Sequence, residues 1–312
     1  MNEFELIQAY FAAAAAEVVP DAQVVLGIGD DCALLQPPMG QQLAISTDTL
    51  VAGRHFPEQT DAFSIGWKAV AVNLSDLAAM GAMPHSILLA LSLPSADEGF
   101  LRELSRGIFS ICQQYGVRLI GGDTTRSPVL SLTLTALGWI PQGQAITRAG
   151  AQVGDWIVVT GTLGDAAFAL QHLDSSLQHR LDRPTPRVAF GQALRGIAHA
   201  MLDISDGLRQ DLGHILQASR VGAVLDVLAL PLDPILRNLS LNQQVTYALV
   251  GGDDYELCFC IAPDAWQNVV QLADQHALAV TVVGRVTDSG TLQLMVGDQP
   301  YSCDQTGFMH FE

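Results

Sequence analysis

Apolar and polar positions along this chain follow two periods, one helical and one strand-like. From Glu3 to Glu17, Phe4, Ile7, Phe11 and Ala14 recur at helical spacing and predict a helix. Asp61 to Met80 reads as a helix capped by Asp61, with Ile65, Val72 and Leu77 available for the core. Further helices are predicted over Asp97 to Tyr115, from Ala166, over Arg187 to His199, from a cap at Asp206 to about Ser219, and over Asp264 to His276. Short apolar runs bounded by turn residues predict strands over Ser86–Leu93, Val117–Gly121, Val129–Ile140, Asp155–Thr160, Leu202–Ser205 and Ala223–Val227. Tyr255–Ile261, Val280–Val286 and Leu292–Val296 read the same way, and Leu241–Val250 falls within this alternation of strand and helix. Asp21 to Asp31 reads as a loop or short strand, and His172 to Pro186 as a polar loop. Mixed strands and helices in two halves predict an α/β (α+β) architecture of two domains. The texture changes after Arg148, which puts the boundary between 1–149 and 150–312.

One stretch, Leu43 to Phe56, organises the rest. Leu43-Ala44-Ile45 suits a buried strand and runs into Ser46-Thr47-Asp48, with Gly53 and His55 following. The same order of apolar run, small residues and Asp recurs in Val24–Asp31, Arg118–Asp123, Met201–Asp206 and Ala248–Asp254. Asp76 adds a carboxylate on a helix, three residues from Asn73 and so on the same face. Strand ends tipped with carboxylates make sense if they converge, and converging carboxylates repel unless cations lie between them. Oxygen ligands held rigidly suit Mg²⁺.

Composition sharpens this picture. Of 312 residues 49% are hydrophobic and only 15% charged, with a net charge of −17. That excess of acid argues against nucleic acid or an anionic membrane as partner. Lys68 is the only lysine, so no Gly-Lys-Ser/Thr phosphate loop exists. Any bound phosphate must be met by metal, arginine, backbone N–H groups and helix N-termini. Five scattered cysteines suit a reducing cytoplasm, and Cys258-Phe-Cys260 lacks the second pair a zinc site needs. The acidic start of the chain does not read as a signal peptide, and no run of about 18 apolar residues predicts a membrane span.

The motifs Leu26-Gly-Ile-Gly-Asp-Asp-Cys-Ala-Leu-Leu35, Ala44–Gly53, Ala71–Ala82, Leu119-Ile-Gly-Gly-Asp-Thr-Thr125, Asp203-Ile-Ser-Asp-Gly207 and Gly251-Gly-Asp-Asp-Tyr-Glu-Leu-Cys-Phe259 resemble those of the thiamine-monophosphate kinase family. The wider superfamily includes aminoimidazole-ribonucleotide synthetase and selenophosphate synthetase. The resemblance covers nearly the whole chain. It implies an N-terminal mixed sheet that pairs across a homodimer, a C-terminal α/β domain, and ATP-dependent phosphorylation of thiamine monophosphate to thiamine diphosphate. It places metal ligands at Asp31 with Asp30, Ser46, Thr47, Asp48, Asp76, Asp123, Asp203 and Asp206. ATP contacts fall at Tyr115, Gly122, Asp123, Arg148 and Ser205. Substrate contacts fall at His55 and Asp253, where the family often has Glu. An aromatic residue common near the family's C-terminus is replaced here by Gln305; either that contact is polar or Phe308 substitutes.

Such a reaction asks little of a base, because the accepting phosphate oxygen is already ionised, and no Ser/His/Asp triad is evident. The difficulty is charge. Two unit charges about 4 Å apart repel by roughly 1 kcal/mol in water and roughly 4 kcal/mol at an effective dielectric near 20. Bridging Mg²⁺ ions remove that repulsion, and an acidic wall such as Asp253 suits a cationic thiazolium. Singly, each residue also has a plain structural reading: Asp206 and Asp61 as helix caps, His55 as a surface histidine, Arg148 in an ion pair, Tyr115 in the core. Two rivals stand beside the kinase: another ATP-dependent member of the superfamily, and a non-catalytic acidic cation-binding module. Selenophosphate synthetase is disfavoured, because that family uses a reactive Cys or Sec with a Lys near the N-terminus.

Overall fold

The computed structural model describes residues 3–16, 21–29, 31–173 and 175–303. They fall into two compact units, Met1–Leu77 with Ala82–Gly143, and Ala78–Gly81 with Gln144–Glu312. The chain passes between them at Gly143/Gln144, a few residues before the change of texture at Arg148, and the four residues Ala78–Gly81 belong with the second unit.

The first unit opens with α1 (Glu3–Ile7) and α2 (Ala13–Ala16), joined without a break by a π-turn over Gln8–Ala12. A two-stranded ribbon follows, β1 (Val24–Leu26) with β2 (Leu34–Leu35). Then come β3 (Gln41–Val51), α3 (Ala62–Ala79), β4 (Met83–Leu93), α4 (Glu98–Tyr115), β5 (Arg118–Arg126) and β6 (Ser131–Pro141). The four long strands form a mixed sheet in the order β3-β6-β4-β5, with only β4 and β5 parallel. The cap expected at Asp61 is present, its Oδ1 accepting from the Ser64 amide, and Asp97 caps α4 in the same way, its Oδ1 accepting from the Phe100 amide.

Two strands run further than their apolar residues do. β3 does not stop at Ser46; it pairs with β6 without interruption from Gln41↔Pro141 to Val51↔Ser131. Nor is it buried: Leu43 and Ile45 are 45% and 60% exposed. As the edge strand it needs only one covered face, so its polar residues continue the ladder as readily as apolar ones. β5 likewise passes through Gly121, Gly122 and Asp123 to Arg126, accommodating a register shift opposite Ile87/Leu88. At Gly122, φ is +152° and a Cβ would stand 1.9 Å from the Leu89 carbonyl oxygen, so only glycine lets the two strands stay paired.

The second unit carries β7 (Trp156–Thr160), α5 (Asp165–Gln171), α6 (Gln178–Asp182), α7 (Val188–Ala193), β8 (Ala200–Asp203), α8 (Leu208–Ser219), β9 (Gly222–Asp226), α9 (Pro234–Arg237), α10 (Leu241–Val245), β10 (Leu257–Ile261), α11 (Trp266–Gln275), β11 (Val280–Thr287), β12 (Leu292–Val296) and β13 (Gln299–Tyr301). The sheet order is β13-β12-β9-β11-β7-β10-β8, with β12 and β9 its parallel pair. β10 is buried at every position, as a strand covered on both faces should be.

Four expectations change here. The loop predicted over His172–Pro186 contains α6, which buries Leu181, with Leu177 just before it, in the core and carries the ion pairs of Arg180. The helix predicted over Arg187–His199 is only Val188–Ala193, because the chain turns over residues 194–197, with Gly196 at φ +73°, before the His199 amide bonds to Cys260 O and leads into β8. Asp206 does not cap α8; the cap position is Gly207, with no side-chain cap bond. The apolar run Ala248–Val250 is the end of a π-turn over Thr246–Val250 that continues α10, so Asp253 and Asp254 trail a helix rather than a strand.

Candidate functional site

In the first unit, strand alternation sorts the candidate ligands. Ser46 and Asp48 share one face of β3, and the Ser46 hydroxyl donates to the Asp76 carboxylate on α3. Thr47 stands on the opposite face, where its Oγ1 lies 2.9 Å from that of Thr135. Thr49 and Thr133 repeat the pairing one step along. Asp48 and Asp76 are half-buried; Asp123, within β5, and Asp31, in the loop after β1, are exposed. Asp30 and Gln305 lie outside the described residues, as does Phe308.

His55 follows β3, and its Nδ1 accepts a 2.9 Å bond from the Val51 amide, which leaves Nε2 to carry a proton in the neutral ring. The lone lysine is buried behind it: Lys68 is 2% exposed, and its Nζ donates to the His55 carbonyl at 3.2 Å. Tyr115 is the last residue of α4, half-buried.

In the second unit, Asp203 ends β8 and is 6% exposed, with Ser205 and Asp206 half-buried just beyond it. Residues 203–206 lie beside the segment Gly252–Glu256. The Asp253 amide donates to Ser205 O, the Tyr255 amide to Ile204 O and the Ile204 amide to Glu256 O, each at 2.8 Å. Asp253 is held at φ +68°, an uncommon conformation outside glycine, and the Tyr255 hydroxyl donates to its carboxylate at 2.9 Å. Arg148 is exposed, and its carbonyl accepts from Ser219 Oγ.

Three groups in this unit were not singled out by sequence. Asp211 Oδ2 accepts from the amides of both Ser205 and Asp206, at 3.0 Å each. Burial pushes its carboxyl up to about 7 against the pull of these bonds. Glu256, fully buried, takes a two-pronged pair from Arg187 (2.8 and 2.5 Å), with Arg180 at 2.8 Å and Thr160 at 2.6 Å. Burial alone would raise Glu256, but the bonds and charge of Arg187, then Arg180, bring it below its ordinary value. Asp254 is buried beside this pair, and both its oxygens accept from the Gly164 amide (3.0 and 2.9 Å). Burial drives its carboxyl well above the ordinary value, since two guanidiniums already face Glu256 and Asp165. Asp254 and Glu256 stood in the quoted motif; Arg180 and Arg187 had no local signal, because their partners lie far along the chain.

Among the described residues, no three His, Cys, Asp or Glu side chains gather closely enough to hold a metal by themselves. The tight convergence suggested by the recurring Asp pattern is therefore not seen there. The donor set still fits Mg²⁺, which keeps several waters and takes one or two protein carboxylates together with phosphate oxygens. Ser46, Asp48 and Asp76 are oxygen donors of that kind in the first unit, as are Asp203 and Asp206 in the second, and they would hold such an ion with waters and phosphate completing its shell.

Two family descriptions match the chain: AIR synthase related protein, N-terminal domain, over residues 29–140, and its C-terminal domain over residues 152–297. A thiamine-monophosphate kinase of Escherichia coli (strain K12) is 46% identical, with 99% of this chain and 98% of that one covered. The chain belongs to the thiamine-monophosphate kinase family. A crystal structure of the family member from Stenotrophomonas maltophilia K279a is 47% identical over 93% of this chain and 95% of that one, with a TM-score of 0.86. A structure described as AaThiL complexed with AMPPCP and TMP is 29% identical, covers 99% and 97%, and has a TM-score of 0.76.

The raised Asp254 carboxyl predicts a pH dependence. Above the ordinary carboxyl value of 3.8 the unfolded chain has lost this proton while the folded chain keeps it. Stability contributed here therefore falls as pH rises from about 4 toward the higher folded value. Asp254→Asn keeps an acceptor for Gly164 and should flatten that limb of the stability–pH profile measured by urea unfolding; an unchanged slope would contradict the assignment.

Proposed function

We propose that this chain transfers the γ-phosphate of ATP to thiamine monophosphate, giving thiamine diphosphate and ADP, by direct in-line displacement assisted by several Mg²⁺ ions. The supporting observation is the family membership together with the AMPPCP and TMP of a structurally similar relative. When bound, Mg²⁺ would neutralise the phosphate charge that otherwise keeps donor and acceptor apart. Ser46, Asp48 and Asp76, with Asp30, Asp31, Thr47 and Asp123, are the ligands we assign in the N-terminal domain. Asp203 and Asp206 are those of the C-terminal domain. Tyr115, Gly122, Asp123, Arg148 and Ser205 would meet ATP. His55, with its Nε2 proton directed by the Val51 amide on Nδ1, would donate to the substrate phosphate. Asp253, fixed by its amide and by Tyr255, would face the cationic ring; Gln305 is assigned to substrate binding, with Phe308 as the alternative. No side chain is assigned as a general base.

We also read the exposed face of β3 as the surface covered by a second copy of the chain. It is an edge strand presenting Leu43 and Ile45, and the family resemblance implies sheet pairing in a homodimer. All five cysteines are free thiols, which suits a cytoplasmic enzyme, and no helix among the described residues is long and apolar enough to cross a membrane.

An endpoint assay separates the alternatives. With MgATP, the protein should convert thiamine monophosphate, but not free thiamine, to thiamine diphosphate with release of ADP. Product from neither would remove the substrate assignment. Asp48→Asn should lower kcat by at least about 100-fold with an unchanged melting temperature, since a metal ligand matters more than the 10–100-fold typical of its supporting shell; near-normal turnover would sink the metal role. Ile45→Lys should shift the light-scattering mass from dimer to monomer, and a wild type already monomeric would refute the pairing.

A further inference from the structure

We propose that Asp211 is a positioning residue for phosphoryl transfer, holding the segment that carries Asp203, Ser205 and Asp206. This rests on the kinase reading above and names how one of its ligand sets is kept in place.

The geometry is unusual for a residue in the first turn of a helix. α8 begins at Leu208, and Gly207 at its cap position has no side chain to satisfy the preceding amides. Asp211, one turn in, reaches back past the cap. A single oxygen, Oδ2, receives both the Ser205 and the Asp206 amide at 3.0 Å. The side chain is 4% exposed, so water does not compete for those bonds.

The other edge of the same segment is tied just as firmly. Ile204 donates to Glu256 O and accepts from the Tyr255 amide, and Ser205 O accepts from the Asp253 amide. Gly252 lies so close that a Cβ there would stand 2.3 Å from Ser205 O. Every backbone N–H and C=O of Ile204 and Ser205 therefore has a partner, as does the Asp206 amide. Asp211 supplies the bonds on one side, and the Asp253 segment those on the other. Remove Asp211, and two adjacent amides lose their acceptor beneath two side chains that must keep fixed positions. Asp206 Oδ2 is itself steadied by Gln210 Nε2 at 3.2 Å, from the same turn of α8. The helix thus grips this segment by both its amides and one of its carboxylates.

Positioning and charge are separable here, because both amides use one oxygen. Asp211→Asn keeps an oxygen that can receive them; Asp211→Ala keeps none. We expect Asp211→Asn to bind Mg·AMPPCP with wild-type affinity by calorimetry and to retain kcat. Asp211→Ala, judged folded by circular dichroism, should lose roughly 10–100-fold in Mg·AMPPCP affinity or kcat, the loss typical of removing a group that orients ligands. Should Asp211→Ala be insoluble, Asp211→Glu carries the test: it keeps the charge but moves the oxygen by one methylene, and should bind more weakly than Asp211→Asn. An alanine variant that binds and turns over like the wild type would overturn the inference, as would an asparagine variant damaged as badly as alanine, or a glutamate variant equal to asparagine. A wild type that binds Mg·AMPPCP yet forms no thiamine diphosphate would refute the acceptor assignment instead, leaving Asp211 to be judged on binding.

Discussion

The paired guanidiniums on Glu256 are the interaction on which the second unit depends. A carboxylate without solvent contact survives only with charge and hydrogen bonds to replace its water, and Arg187, Arg180 and Thr160 supply both. Removing either arginine would leave a buried charge short of its partner, a loss that costs about 3–5 kcal/mol in comparable pairs. The consequence reaches the candidate site through the backbone. With its side chain anchored, Glu256 offers a fixed carbonyl to Ile204, and the neighbouring residues Asp253 and Tyr255 complete the ladder to Ile204 and Ser205. The oxygen-bearing side chains beyond β8 inherit their positions from an ion pair that touches none of them.

The first unit reaches a similar end by different means. There the candidate ligands sit on β3, held by eleven consecutive pairings with β6, and on α3, whose Asp76 receives the Ser46 hydroxyl. A regular strand places alternate side chains on one face, so Ser46 and Asp48 come together while Thr47 is turned away. An acidic chain carrying a net charge of −17 can serve an anionic substrate on these terms. On the proposed reading its carboxylates would attract cations first, and the cations would attract phosphate.

Much of this was legible in the sequence where one residue's environment is set by its neighbours in the chain. The cap at Asp61 follows from residue type and spacing, and β10 lies within the strand expected over Tyr255–Ile261. The motifs were legible as a family resemblance, and the family membership bears that out. What could not be read is long-range pairing. The extent of β3 depends on β6, some ninety positions along the chain. On α6, Arg180 meets Asp165 and Glu256, partners that its own segment does not announce. Asp206 looked like a cap because Asp and a helix stood together, whereas the amide of Asp206 is itself a donor to Asp211. Polar residues carry no periodicity that would announce such partners.

The central claim is that this chain works by holding charged groups in place and forms no covalent bond to the phosphoryl group. The stereochemical course of transfer tests that most directly. With ATP made chiral at the γ-phosphorus and thiamine monophosphate as acceptor, a single in-line displacement inverts the configuration at phosphorus. Inversion is the predicted result. Retention would mean two displacements through a phosphorylated side chain, and would contradict the account.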